Sequence, residues 1–169
     1  MNENVSKLRL DVGCGDTPRG NVNCDLYLSE TPEMGEGRII RPTKCPNFMR
    51  CDTYHLPFKD NTFDEVFSSH LIEHMAKPLQ ALMEMLRVSN HKVTFIVPHR
   101  MRRGFGEVFY PEFCKEHRKH IFNVKNLNQW LTKNSLPFDI STKNRAFPHP
   151  IFPIFQVPWD IVVTVYKPY

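Results

Sequence analysis

The chain lacks Cys-x-x-Cys pairs, and its five cysteines are an odd number, which argues against a disulfide framework and against a zinc ribbon. Thiols without partners suit a reducing compartment. It also lacks any stretch near the roughly 18 consecutive apolar residues of a membrane span. Met1–Lys7 leads into a short strand-like run rather than the apolar region of a signal peptide, so the expectation is a soluble, cytoplasmic protein. There is no internal repeat and no low-complexity tract. Net charge is small, +4, and much of it is local: residues 99–120 hold six of the Lys and Arg side chains against three Glu. Attraction for an anionic partner would therefore be confined to that stretch.

What is present is an ordinary globular composition, 41% hydrophobic and 24% charged over 169 residues, which predicts a single domain spanning 1–169. A domain of about 150 residues buries roughly 68–70% of its unfolded surface and needs no staple. Leu8–Val12, Val22–Leu26, Asn47–Cys51, Asp64–Ser68 and Lys92–Val97 read as short strands. Pro78 opens a helix with Leu79, Leu82, Met83 and Leu86 at the spacing of one apolar face. Asn123 caps a second helix carrying Val124, Leu127, Trp130 and Leu131, ending near Asn134. Phe138–Thr142 and Trp159–Tyr166 follow as strands. Between them Ala146–Pro158 holds Pro148, Pro150, Pro153 and Pro158, which predicts a stiff surface loop over 146–158. Strands alternating with helices, then a late strand pair, predict an α/β, doubly wound, mostly parallel sheet with an antiparallel last strand.

The first strand delivers Asp11 to a turn with Gly13 and Gly15, where backbone can approach a ligand closely. Asp25 ends the second strand, Asp52 follows the third, and Leu56-Pro57-Phe58 precedes the fourth. In a doubly wound sheet these converge beyond the carboxyl ends of the strands. Taken in order, Leu10-Asp11-Val12-Gly13-Cys14-Gly15, Cys51-Asp52, Leu56-Pro57-Phe58, Asn61-Thr62-Phe63-Asp64 and Ser68-Ser69-His70-Leu71-Ile72-Glu73-His74 resemble the successive motifs of the class I S-adenosylmethionine-dependent methyltransferases. That resemblance implies a Rossmann-like, seven-stranded-type sheet and S-adenosylmethionine as cofactor. It implies that Asp11, Gly13 and Gly15 approach the methionine part, Asp25 holds the ribose hydroxyls, Asp52 meets the adenine, Ser68 and Ser69 sit beside the methionine and the acceptor, and Cys14 and Leu56 also belong to the cofactor-binding set.

One departure stands out: Gly15 to Asp25 is ten positions, where the family's intervening helix makes it about 20. The helix between the first and second strands is therefore expected to be absent. Residues 13–21 can still span roughly 30 Å extended, more than the ~17 Å length of a five-residue strand. One sheet face would be left for Tyr27–Pro46, or a second copy of the chain, to cover.

Competing chemistries read the same residues less well. His70-x-x-Glu73-His74 matches a zinc-peptidase pattern, but a strand ends directly before it and Pro78 breaks the local helix. Magnesium at Glu73 and His74, by resemblance to methyltransferases with a Glu-x-x-Glu-His pattern, is weakened by His70 replacing the first glutamate; no metal is expected. A dinucleotide dehydrogenase would need glycine where Pro18 stands, and a phosphate-binding helix. For methyl transfer, alignment does most of the work, and a neutral imidazole can take a proton from the acceptor. His70, His74, His99, His117 and His120 are candidates by position, with His70 first as the catalytic base. The basic and aromatic segment 99–120 is expected to bind the acceptor, with His74, His99, Arg100, Arg103 and Tyr110 as its contacts. Neither the Asp/Asn-Pro-Pro-aromatic signature of nucleic-acid amino-methyltransferases nor a Pro-Cys nucleophile is present. Small-molecule, sugar-like or RNA acceptors stay open. The alternative is a non-catalytic cofactor-binding or scaffold subunit of the same descent.

Overall fold

The computed structural model of the chain describes residues 7–27, 45–100, 120–147 and 155–168. Within them, seven strands form one sheet: β1 (Arg9–Val12), β2 (Val22–Asp25), β3 (Phe48–Arg50), β4 (Phe63–Ser69), β5 (Ser89–Pro98), β6 (Phe138–Phe147) and β7 (Phe155–Tyr166). Their order is β3-β2-β1-β4-β5-β7-β6. The first five are mutually parallel, and β7 runs antiparallel to both β5 and β6. This is the Rossmann-like architecture the sequence predicts.

Strand register explains which face is covered. One row across the sheet reads Cys24, Val12, Ser68, Phe95, Val163, Ile140; the neighbouring row, with opposite side-chain direction, reads Asn23, Asp11, Phe67, Thr94, Thr164, Asp139. Because side chains alternate with period two, β5 sends Val93, Phe95 and Val97 to one face and Lys92 and Thr94 to the other. The apolar face joins one continuous core with helices α1 (Pro78–Val88) and α2 (Val124–Lys133). The polar face is laced by Arg9 and Lys92 with Glu65, and by Thr94 with the same carboxylate.

Helix α1 starts at Pro78, whose missing N–H costs nothing at a helix start. Its buried stripe is Ala81, Leu82, Met85, Leu86 and Val88, whereas Met83 is 48% exposed. The stripe is centred on Leu82 and Met85, so Met83 falls at its outer edge rather than in the predicted face. Helix α2 carries a reciprocal cap: Asn126 N–H donates to the Asn123 side chain, and Asn123 N–H to that of Asn126, both at 2.8 Å. Leu127 and Leu131 are its fully buried residues.

The expected loop over 146–158 is shorter than its prolines suggest. Strand β6 extends to Phe147 and β7 begins at Phe155, with Asn144 opposite Pro158 at an irregularity in the ladder. Here β7 is beyond the end of β5, whose Pro98 pairs with Asp160, and Pro158 stands at the irregularity of the β6–β7 ladder, a position where proline is tolerated. Residues 148–154 lie outside the described residues.

The β1–β2 connection contains no helix. Residues 13–21 run back along β1 instead, and side-chain amides stitch them down. Asn23, fully buried, accepts from Gly20 N–H at 2.9 Å and donates to the carbonyls of Gly20 and Pro46. Asn21 accepts from Arg9 N–H at 2.8 Å. Gly20 is required by closeness: a Cβ there would lie 2.4 Å from the Val22 carbonyl oxygen and 2.7 Å from the Asp11 nitrogen. The connection also supplies part of the cover for the helix-free face, since the Arg19 guanidinium lies 5.5 Å from the Phe67 ring centroid, beside that of Arg9 from β1 at 5.6 Å. Of the expected cover Tyr27–Pro46, residues 28–44 lie outside the described residues.

Candidate functional site

Parallel pairing puts the carboxyl ends of β1 to β4 on one sheet edge, and the turn after β1 is fastened to β2 there. Gly13 and Cys14 N–H groups both donate to the Cys24 carbonyl, at 2.8 and 3.1 Å. Gly13 has φ +68°, which strains any other residue, and a Cβ on it would lie 3.0 Å from the Leu71 side chain, which would have to give way. Gly15 N–H donates to Asp25 Oδ2 at 3.1 Å, and Tyr27 N–H to Oδ1 at 3.2 Å. These bonds fix the Asp25 carboxylate at the mouth of the turn. Burial pushes its pKa up, against the opposing amide hydrogen bonds.

Asp11 is 2% exposed. Its Oδ2 accepts Arg19 N–H at 2.8 Å, while Oδ1 is buried without a hydrogen-bond partner among the described residues. Burial raises its pKa to about 6, offset in part by the Arg19 amide and the Arg19 and Arg9 charges. Ser68, fully buried at the end of β4, likewise has an Oγ without a partner, because its row is otherwise apolar. The two atoms lie on opposite faces of the sheet, Asp11 in the polar row and Ser68 in the apolar one, both near its carboxyl edge. Ser69 is half-buried beside it.

Asp52 is more open, its side chain 43% exposed, with Oδ1 accepting Tyr54 N–H at 2.9 Å and Oδ2 3.6 Å from His55 Nδ1. Leu56 belongs to the core, and α1 holds its backbone: its N–H donates to Glu84 Oε1 at 2.8 Å and its carbonyl accepts from Arg87. The structure thus gathers Asp11, Gly13, Cys14, Gly15 and Asp25, with Asp52 and Leu56 on the following loop.

His70 follows β4 at φ +56°, its N–H bonded to the Ile96 carbonyl at 2.9 Å. A non-glycine residue in this region is strained, and the ring it presents stands between two carboxylates. Nδ1 is 3.4 Å from Glu73 Oε1 and Nε2 is 3.8 Å from Asp160 Oδ1. Glu73, in the single 3₁₀ turn Ile72–His74, is fully buried with neither oxygen in a well-formed hydrogen bond among the described residues. His74 Nε2 lies 3.8 Å from the same Oε1, and its buried Nδ1 has no partner among the described residues.

His99 N–H donates to the Trp159 carbonyl and Arg100 N–H to that of Phe122, which ties the start of the basic segment to β7 and to the chain before α2; burial lowers the His99 pKa. His120 N–H donates to the Glu73 carbonyl at 3.0 Å. Arg103, Tyr110 and His117 lie outside the described residues. Among the described residues no group of three or more His, Cys, Asp or Glu side chains is arranged to hold a metal ion, and no helix is long and apolar enough to cross a membrane.

Sequence reasoning left out Arg19, Asn23 and Asp160 as contributors. An Asn two residues before Asp25 was a usable signal for the first connection, whereas Asp160 reaches His70 only through the pairing of β5 with β7.

Comparison with known proteins places this geometry. The family described as "Methyltransferase domain" matches residues 10–97, over half of the chain. An uncharacterised protein of Methanocaldococcus jannaschii is 36% identical over 94 residues, covering 53% of this chain and 39% of that protein. An uncharacterised methyltransferase of Mycobacterium leprae is 33% identical over 91 residues, covering 50% and 34%. The chain therefore spans between a third and two fifths of the length of these curated relatives. In three dimensions it is similar to a SAM-dependent methyltransferase from Thermotoga maritima, with a TM-score of 0.68 at 16% identity, covering 96% of this chain and 83% of that one. At that identity the likeness shows the fold alone.

Proposed function

The chain belongs to the methyltransferase-domain family, and from that premise we propose that it is a cytoplasmic S-adenosylmethionine-dependent methyltransferase acting on a small-molecule, sugar-like or RNA acceptor. The observation that carries this reading is the cluster of Asp11, the Gly13–Gly15 turn and Asp25 at the carboxyl edge of β1 and β2, inside the matched residues. Bound S-adenosylmethionine supplies a methyl group already activated on a sulfonium, so the protein's task is alignment.

Each residue's share follows from its surroundings. Asp25, held by the Gly15 and Tyr27 amides, keeps lone pairs for two ribose hydroxyls. Asp11 Oδ1, buried and unmatched, suits the ammonium of the methionine part. Ser68 and Ser69, at the carboxyl end of β4, stand beside the methionine part and the acceptor in this reading. Asp52 is the open carboxylate, fit to accept from the adenine amino group, and the Leu56 backbone, fastened to α1, keeps that loop in place. On the acceptor side His70 is the base: Glu73 Oε1 near Nδ1 orients the ring, and Nε2, 3.8 Å from Asp160 Oδ1, takes the proton. In this reading His74, His99, Arg100, Arg103 and Tyr110 are the acceptor contacts.

Calorimetric titration with S-adenosylmethionine and S-adenosylhomocysteine, with NAD as control, tests it. Asp25→Ala is expected to lower cofactor affinity by about ten- to a hundredfold with the fold retained. Equal affinity in the variant overturns the ribose assignment. No binding by the native chain overturns the enzyme reading in favour of a non-catalytic subunit.

A further inference from the structure

The thiols beside the turn have no part in the chemistry above, yet two of them meet. Cys14 Sγ lies 3.9 Å from Cys45 Sγ, across 31 positions of chain. Both are free, and at 5% and 6% exposure both are buried. Cys14 sits between the glycines of the turn, one residue from the amide that holds Asp25. Cys45 stands just before Pro46, whose carbonyl is held by Asn23, so its backbone is anchored to the same corner of the sheet. Thiols in contact need approach by only about 2 Å to reach disulfide bonding distance.

We propose that Cys14 and Cys45 are a reversible oxidation site, joined as a disulfide by hydrogen peroxide, which draws the glycine turn toward the chain entering β3 and weakens cofactor binding. The sulfur of one thiol attacks a peroxide oxygen; the O–O bond breaks, water leaves, and a sulfenic acid forms. The second thiol's sulfur then displaces that oxygen as a second water, forming the S–S bond. Two electrons pass from the sulfurs to peroxide, and both thiol protons end in water. Peroxide is small enough for a nearly closed site. Burial pushes both thiols up in pKa, and the Asp11 and Asp25 carboxylates add to this, so the reaction is slow at neutral pH and speeds up as pH rises. The effect on cofactor rests on the function proposed above; the bond itself does not.

The test uses the full chain with Cys114→Ser, treated with hydrogen peroxide and read by intact mass, peptide mapping and titration with S-adenosylhomocysteine. The expected result is loss of two hydrogens, a Cys14–Cys45 cross-linked peptide, and affinity reduced about tenfold and restored by dithiothreitol. Cys45→Ser is expected to bind like the reduced protein and to lose the peroxide response. Cys24 and Cys51 are a second pair of thiols within hydrogen-bond reach of each other, and a bond mapped to them instead, no change in mass, or unchanged affinity in the cross-linked protein overturns the proposal. Cross-linking in a chain whose reduced form does not bind overturns the coupling to cofactor and upholds the oxidation site.

Discussion

The two wings of the sheet are held together by different physics. From β3 to β1 the strands have three or four residues and are joined by polar groups: Asn21, Asn23 and Asn47 side chains bond to backbone, and glycine permits the close return. From β4 to β6 the strands have seven to twelve residues, and their apolar face packs under two helices. The first wing adds fewer apolar residues to the core, Leu10, Val12 and Cys24 from its strands, and carries the candidate cofactor turn, where hydrogen-bond geometry substitutes for a helix. Its net gain per hydrogen bond is about 1 kcal/mol, so each lost partner matters. The second wing supplies the bulk of stability through burial.

If that division is right, the largest loss comes from the second wing. Phe95→Ala, at a fully buried residue of β5, should cost about 3–5 kcal/mol in urea unfolding. A cost below about 1 kcal/mol would mean that the long strands are not the main store of stability. In the first wing Gly20→Ala forces a methyl into backbone and should cost about 2–3 kcal/mol, with weaker binding of S-adenosylhomocysteine because the turn is displaced. Unfolding and titration on one sample check both.

Asp11 sharpens the contrast through pH. Its folded pKa of about 6 lies above the ordinary 3.8, so the folded chain holds this proton more tightly than the unfolded one. Its contribution is most favourable below about pH 4 and is lost as pH rises to about 6. Asp11→Asn should remove that decline, leaving the variant more stable than the native chain by about 1–2 kcal/mol near neutral pH, with no such gain near pH 4. Parallel stability curves for the two proteins would contradict it. The smallest effect belongs to Arg9→Ala. Glu65 keeps Thr94 at 2.9 Å and Lys92 at 3.6 Å, and the Arg9 side chain is itself 39% exposed, so the loss should be about 1 kcal/mol or less.

The legibility of the two wings in sequence differs as well. Helix α2 could be read from its caps, because Asn123 and Asn126 are local signals of a local structure. The missing first crossover helix followed from the ten positions between Gly15 and Asp25. The length of β6 and β7 could not be read, since prolines near their shared turn suggest a loop while the ladder tolerates them past the end of β5. Met83 fits the apolar spacing yet lies at the exposed edge of α1, because spacing alone does not say where the centre of an apolar stripe falls.

By itself the sequence determined the strand and helix types and the glycine turn with its acids. These depend on periodicity and turn chemistry within a few residues. Only the tertiary structure decided that Asp160 stands across His70 from Glu73, that Asn23 replaces a helix as the fastener of the first connection, and that Cys14 meets Cys45. Those meetings depend on strand order and register between distant segments, which local spacing does not encode.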